Sequence, residues 1–577
     1  MKQFFKMVLA VFVGLALLGV VGVLALLAVV GIAAEHAEPE LPAGNSVLRI
    51  RLQGSLVERS KPTLASLFGN DEDYEYGLDD LLTAVREAET DKNIKGILIE
   101  PGAFSGGFAS LCELRNAILH FRKSSGKFVY AYSGAYSQGG YYLASAADSV
   151  FLNPDGVVDF RGLAYRSSFY KQLLDKVGIQ MQVVKVGTFK SFTEQYTNRQ
   201  MSPASRLQAT QLVGDLWATV LRQIADSRHL QVGQLNAAAD SFQSFRSPEA
   251  DVKLHLVDRL VYADEVSALL RRKLALAAGA EVPFSEAADY AQSLSLDDSG
   301  SQVAVLYAAG EIDNGNEEGI SSKKICAEMD KLRNNDKVKA VVLRINSPGG
   351  SAYGSEQMWR SLQLLRQKKP VVVSMGDYAA SGGYYMACSA NAIVADPVSI
   401  TGSIGIFGVI PNVQNLAGKV GMDYDVVKTN RNADFPAIFR PMSPDEARLL
   451  QLYVNRGYAQ FVKRCADGRH RSVAQIEAVA QGHVWSGTTA QRIGLVDELG
   501  DLQVAIQRAS RLAKLRDFCV ASYPAKDDVW SDLFHLPALG VRAFQQASPF
   551  YKERMLLLRA QHLDCLQAAL PSDISIY

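Results

Sequence analysis

An excess of charge of one sign, clustered cysteines and basic patches of the nucleic-acid type are all missing from this chain. Sixty Lys and Arg balance sixty Asp and Glu. No Lys/Arg cluster interleaves with aromatic residues, so the electrostatic footprint of a nucleic-acid binder is absent and nucleic acid is excluded as a partner. Only six cysteines occur in 577 residues: Cys112, Cys326, Cys388, Cys465, Cys519 and Cys565. None lies in a CxxC or Cys/His grouping, which leaves out the usual zinc spacings. No metal and no cofactor is expected. The cysteines read as single thiols packing as small apolar groups, and no disulfide is assigned. The remaining composition, 48% hydrophobic and 21% charged, is ordinary for a globular protein.

One long apolar run is present. Met7 to Ala34 is 28 residues without a charge, and a helix rising ~1.5 Å per residue over that length spans a ~30 Å hydrocarbon layer. Lys2 and Lys6 precede it, while Glu35, Glu38 and Glu40 follow. The positive-inside bias then keeps residues 1–6 in the cytoplasm and places everything after the anchor (7–34) outside, facing the periplasm or cell exterior. A cleavable signal peptide is the rival reading, because Ala33 and Ala34 are small, but the run is longer than the ~7 to 15 residues of a typical apolar region in such peptides.

The chain also repeats itself. Shifted by 243 residues, YSQGGYYLASAAD around Gln138 overlies YAASGGYYMACSAN around Ser381, Pro154 overlies Pro397, Gly162 overlies Gly405, and VVK at Val183 to Lys185 overlies VVK at Val426 to Lys428. The second copy then loses two residues before MSP recurs at Met201 and Met442. Length alone suggests about three to four domains, whereas the repeat argues for two related units: 35–290 and 300–520, followed by a tail, 521–577, that resembles neither. Within each unit, β-branched runs alternate with helical patterns. Strands are expected from Val47, Lys95 and Lys127 in the first copy and from Val303, Lys339 and Lys369 in the second, with helices at 77–89, 110–124, 322–333 and 355–368. Such continuous apolar strands indicate buried, mostly parallel sheet in an α/β fold. SPDE at Ser443 marks a capped helix start, with a counterpart at Ser202, and MLLLRAQHLDCLQAAL in the tail has a helical pattern.

The two copies differ where chemistry could sit. In KKPVVVSMGDYAASGGYYMACSA a strand turns tightly into a helix at Ser381, where unpaired amides favour developing negative charge. The Gly382 amide is one oxyanion donor. RINSPGGS places Gly349 and Gly350 just after another strand, where glycine backbone approaches a ligand closely and supplies a second. The first copy has Gln138 in place of the serine. A serine hydroxyl needs a base. His470, in a polar turn, and His483, ahead of SGTTAQRIGLVDELG, are possible bases, but neither falls in the strand-end glycine turns. Lys190, in VKVGTFKSF, serves if burial keeps its amine neutral, which takes ~4 kcal/mol of preference for the uncharged form. The second copy has only Arg431, Asn432 or Ala433 near that position.

INSPGGS, ASGGYY, TGSIGIFG and VGTFKS, with the N-terminal anchor and tandem halves, resemble the signal peptide peptidase A (protease IV) family in its long tandem form from Gram-negative bacteria. The resemblance covers all but the tail. It implies tandem Clp-protease/crotonase-like α/β repeats, a bowl-shaped homotetramer and a lipid-bilayer anchor at the outer face of the inner membrane. It further implies that Ser381 is the nucleophile, Lys190 the general base from the other half, and Ser403 of TGSIG a hydroxyl orienting the lysine. The amides of Gly382 and of the Gly349–Gly350 turn would form the oxyanion hole. Where the family usually reads KSAVEP, this chain reads KSFTEQ. The implied substrates are signal-peptide remnants and other apolar peptides. Two other classes share these features: a crotonase-type acyl-CoA enzyme, and an inactive membrane scaffold of the same fold.

Overall fold

The computed structural model describes residues 44–60, 74–294, 300–313, 319–526, 567–569 and 575–576, together with positions 3, 6 and 14. The anchor expected over 7–34 thus lies, Gly14 apart, outside the described residues. Among those described, no helix is long and apolar enough to cross a membrane.

The first copy supplies β1 (Ser46–Val57), β2 (Glu75–Gly77), β3 (Ile94–Ser105), β4 (Phe128–Tyr136), β5 (Ser149–Val158), β6 (Tyr165–Arg166), β7 (Gln180–Val186), β8 (Arg259–Leu260) and β9 (Phe284–Glu286). Seven of these form one sheet in the order β2-β1-β3-β4-β5-β8, with β9 also on β1. All its pairs are parallel. The helices Leu78–Thr90 and Phe108–Ser125 cross between strands, close to where periodicity predicts them.

The second copy supplies β10 (Gln302–Ala309), β11 (Val338–Ser347), β12 (Gly349–Ser351), β13 (Val371–Ala380), β14 (Ala392–Ala395), β15 (Ile400–Gly402), β16 (Ile406–Asn412), β17 (Val484–Ser486), β18 (Glu498–Leu499) and β19 (Cys519–Tyr523). Its sheet runs β17-β15-β13-β11-β10-β19, with β14 and β18 branching from β13. Only β17 is antiparallel to its neighbour. The 243-residue register carries β3, β4 and β5 onto β11, β13 and β14–β15, so the duplication is structural as well as textual. β10 and β11 are buried almost throughout. That is why they read as unbroken apolar runs rather than as alternating ones.

Two features lock the halves together. β7 belongs to the first copy but not to its sheet, and pairs antiparallel with β16 over seven residues, from Val186 opposite Ile406 to Gln180 opposite Asn412. The second is a buried ionic cluster. The Arg344 guanidinium donates to Glu58 at 2.9 and 3.0 Å, to Glu113 at 2.7 Å and to Ser374 at 3.0 Å. Burial pushes the Glu113 carboxyl up to about 7 against the pull of Arg344.

Of the stretch MLLLRAQHLDCLQAAL, expected to be helical, only residues 567–569 are among those described, and they form a strand. In the tail, β20 (Gln567–Ala569) adds antiparallel to β12 and touches β16, and β21 (Ser575–Ile576) pairs with β6. An open strand edge offers hydrogen bonds that intrinsic propensity does not anticipate.

Candidate active site

Ser381 sits at the junction of β13 and the six-residue helix Gly382–Ala387, with φ 56° and ψ −113°. A non-glycine residue rarely occupies that region, and its cost is borne by packing at functional turns. The turn is held by the Ser381 amide donating to Gly402 O at 2.8 Å and the Tyr385 amide donating to Ser381 O at 2.8 Å. Ser381 is fully buried.

Lys190 follows β7, which the ladder to β16 delivers to the second copy. Its Nζ lies 2.8 Å from Ser381 Oγ, 3.0 Å from Ser403 Oγ and 3.2 Å from Ser403 O. The residue is 1% exposed, and burial alone pulls its amine down from the usual 10.5 to about 7. The nearest aromatic face is Phe407, 5.8 Å from Nζ, and Phe192 stacks on it at 4.7 Å. The site is therefore dry. Ser403 also has a positive φ, 50°, and its amide donates to His483 O at 2.7 Å, which turns both its oxygens toward the lysine.

The glycines of the expected oxyanion hole are not equivalent. The Gly349 amide donates to Ser347 Oγ at 3.2 Å, and the Gly349 carbonyl and Ser351 amide are both taken by Ile312. By strand alternation Gly350 faces the other way, toward β20. The Gly382 amide opens the helix, where the first-turn amides have no intrahelical partner. Gly382 is the donor the geometry leaves open, and Gly350 is a second where a bound backbone takes the place of β20, whereas Gly349 is neither.

The histidines divide. His470 is exposed just beyond the helix Pro444–Gly468. His483, contrary to the sequence reading, does border the site, but as packing. Its ring stacks on Trp485 at 3.6 Å and lies 4.3 Å from Phe189, and its Nδ1 meets Val484 O at 2.9 Å. Burial lowers its pKa. Sequence reasoning also missed the sleeve around the lysine. Gly482 (φ +78°) lies so close that a Cβ there would stand 2.6 Å from the Lys190 amide nitrogen. Gln208 ties Phe189 O to the Val484 amide. The only hint in sequence was the glycine beside His483. In KSFTEQ the lysine's neighbours do local work, with Glu194 accepting from the Ser202 amide and hydroxyl at 3.0 and 2.7 Å.

Comparison with known proteins assigns the chain to a family. The Clp protease profile matches residues 302–394, so the second copy has a Clp-protease-like α/β fold. The profile for Peptidase family S49 matches residues 121–277 and 363–516, together more than half the chain. The chain belongs to peptidase family S49, and with its Protease 4 relatives this makes it a serine protease. It is 39% identical to Protease 4 of Salmonella typhi over 79% of this chain and 76% of that one. It is 33% identical to Protease 4 of Haemophilus influenzae over 81% and 79%. It is 31% identical to the chloroplastic serine protease SPPA of Arabidopsis thaliana over 82% and 69%.

Proposed function

We propose that this serine protease is an endopeptidase working through a Ser381/Lys190 dyad, tethered to the bacterial inner membrane by residues 7–34 with its body in the periplasm. Its substrates in this reading are cleaved signal peptides and other apolar peptides. The observation that carries the proposal is the desolvated Lys190 amine 2.8 Å from the Ser381 hydroxyl. An amine titrating near 7 is neutral often enough to accept a proton and, once charged, acidic enough to return it. Ser381 Oγ attacks the peptide carbonyl carbon as its proton passes to Lys190 Nζ. The oxyanion is held by the Gly382 and Gly350 amides. The ammonium then protonates the leaving amine as the C–N bond breaks, and the same lysine activates water against the acyl-enzyme. Ser403, hydrogen-bonded to Nζ at 3.0 Å, holds the amine on line.

Two features support a peptide substrate. The groove between β12 and β16 takes an extended backbone, as β20 does, and strand addition of this kind recognises main chain with little regard to sequence. A tether at the bilayer surface also raises the effective concentration of apolar peptides. A homotetramer belongs to the same reading.

A fluorophosphonate probe followed by mass spectrometry tests it. An adduct on Ser381 that disappears in Lys190→Ala supports the dyad. An adduct that persists at full rate in Lys190→Ala, or none on folded wild-type protein, overturns it. The pH profile gives a second check. Only the neutral amine is a base, so kcat/KM is expected to rise about tenfold per pH unit below the lysine's value of about 7 and to level off above it.

A further inference from the structure

Lys190 belongs to the first copy and both hydroxyls it meets belong to the second, so its reach depends on what fixes one copy's loop against the other's strands. The β7–β16 ladder ends at Val186. Lys190 sits beyond it, at the end of residues 187–190, which belong to no strand or helix. The side chain that spans this gap is Gln208, on the helix Pro203–Arg228 of the first copy, and it is 5% exposed. Its Nε2 donates to Phe189 O and to Ser191 Oγ, each at 3.4 Å. Those are the two chain neighbours of Lys190. Its Oε1 accepts from the Val484 amide of the second copy at 2.9 Å.

Val484 begins β17, which pairs with β15 and sets Val484 opposite Gly402. Gly402 O takes the Ser381 amide at 2.8 Å, and Ser403, next in the chain, gives its amide to His483 O at 2.7 Å. One amide side chain thus connects the loop of the amine to the strand pair that holds both hydroxyl-bearing turns. Seven residues on, along the same helix face, Asp215 Oδ2 accepts from Ser486 Oγ and Thr489 Oγ1, both at 2.7 Å. Leu212 between them is buried in one core with Val484.

The repeat separates these contacts from general packing. Counted from the shared MSP at Met201 and Met442, the second copy has Leu449 and Arg456 at the places of Gln208 and Asp215. The copy without the lysine lacks both. Apolar side chains would bury the same helix face as well, so packing alone gives no reason for an amide and a carboxylate there. We propose that Gln208, backed by Asp215, is a positioning residue that sets the reach of Lys190 Nζ to Ser381 Oγ. The inference rests on the Ser381/Lys190 reading and extends it. Gln208 itself touches no reacting atom. A base must stand within about 2.6–3.2 Å of the group whose proton it takes, and a misplacement of about 1 Å costs on the order of 10²-fold. A loop without its tie therefore loses rate rather than affinity.

Inactivation of the full-length protein in detergent by a fluorophosphonate, read as kinact and KI across pH 5 to 10, tests this. Gln208→Met keeps the volume and loses the hydrogen bonds. It is expected to lower kinact by about tenfold or more with KI within about twofold, and to move the rising limb to higher pH as water reaches the amine. Gln208→Glu keeps an acceptor for the Val484 amide, and with it the fold, but sets a carboxylate beside the lysine loop, so its limb is also expected at higher pH. In a Lys190→Ala background, adding Gln208→Met is expected to cost nothing further, since its effect passes through the amine. Wild-type kinact with an unmoved limb in either Gln208 variant, or a further tenfold loss in the Lys190→Ala background, would overturn the proposal and leave the dyad standing. Wild-type kinact in Lys190→Ala alone would remove the dyad and the proposal together.

Discussion

Lys190→Met is expected to cut kcat by about 10⁴-fold or more and at the same time to make the protein harder to unfold at neutral pH. The two effects have one cause. Moving this amine from its usual 10.5 to about 7 corresponds to a burial cost of about 5 kcal/mol for the charged form. The sign follows from linkage. Below about pH 7 the amine is protonated in both folded and unfolded chains, so the whole cost is present. Between about 7 and 10.5 the folded chain binds fewer protons, and stability recovers as pH rises. Above 10.5 nothing remains of it. Methionine fills a similar volume without a charge and escapes the cost, less what the amine gains from its three hydrogen bonds. Melting temperatures at pH 6 and pH 10 check this: the variant's advantage should be largest at pH 6 and shrink toward pH 10. Equal melting at pH 6 would contradict the burial argument.

The second large effect is at the other inter-half contact. Arg344→Met is expected to destabilise the protein by about 3–5 kcal/mol, because it strands Glu58 and Glu113 in a dry interior without their cation. Glu113 titrates near 7 in the folded protein. A carboxyl with a raised folded value contributes stability below its unfolded value and loses it as pH rises through the folded one, so the defect should be milder at pH 5 than at pH 8. Urea unfolding at those two pH values measures it. Adding Glu58→Gln and Glu113→Gln should recover most of the loss, and a triple variant as unstable as Arg344→Met alone would refute the stranded-charge account.

The strands and crossover helices were legible because each is specified locally. Buried parallel strands such as β10 and β11 are unbroken β-branched runs, and Ser443 with Glu446 forms the capping box that its spacing predicts. Ser381 and Lys190 were singled out by comparing the repeats and by family resemblance. What joins them was not legible. The β7–β16 ladder pairs residues more than two hundred positions apart, and nothing in VKVGTFKSF tells which edge it will meet. His483 was misplaced for the same reason: its carbonyl, which no side-chain pattern reports, is what holds Ser403. The tail strand at Gln567–Ala569 went unread because its partner edge, not its own composition, makes it extended.

In the proposed dyad, base and nucleophile come from separate repeats on one polypeptide, with the linker already joining them. Had they come from separate molecules, diluting the protein would take the site apart. Here the covalent connection stands in for concentration, and specific activity should hold steady at any dilution that leaves each molecule folded.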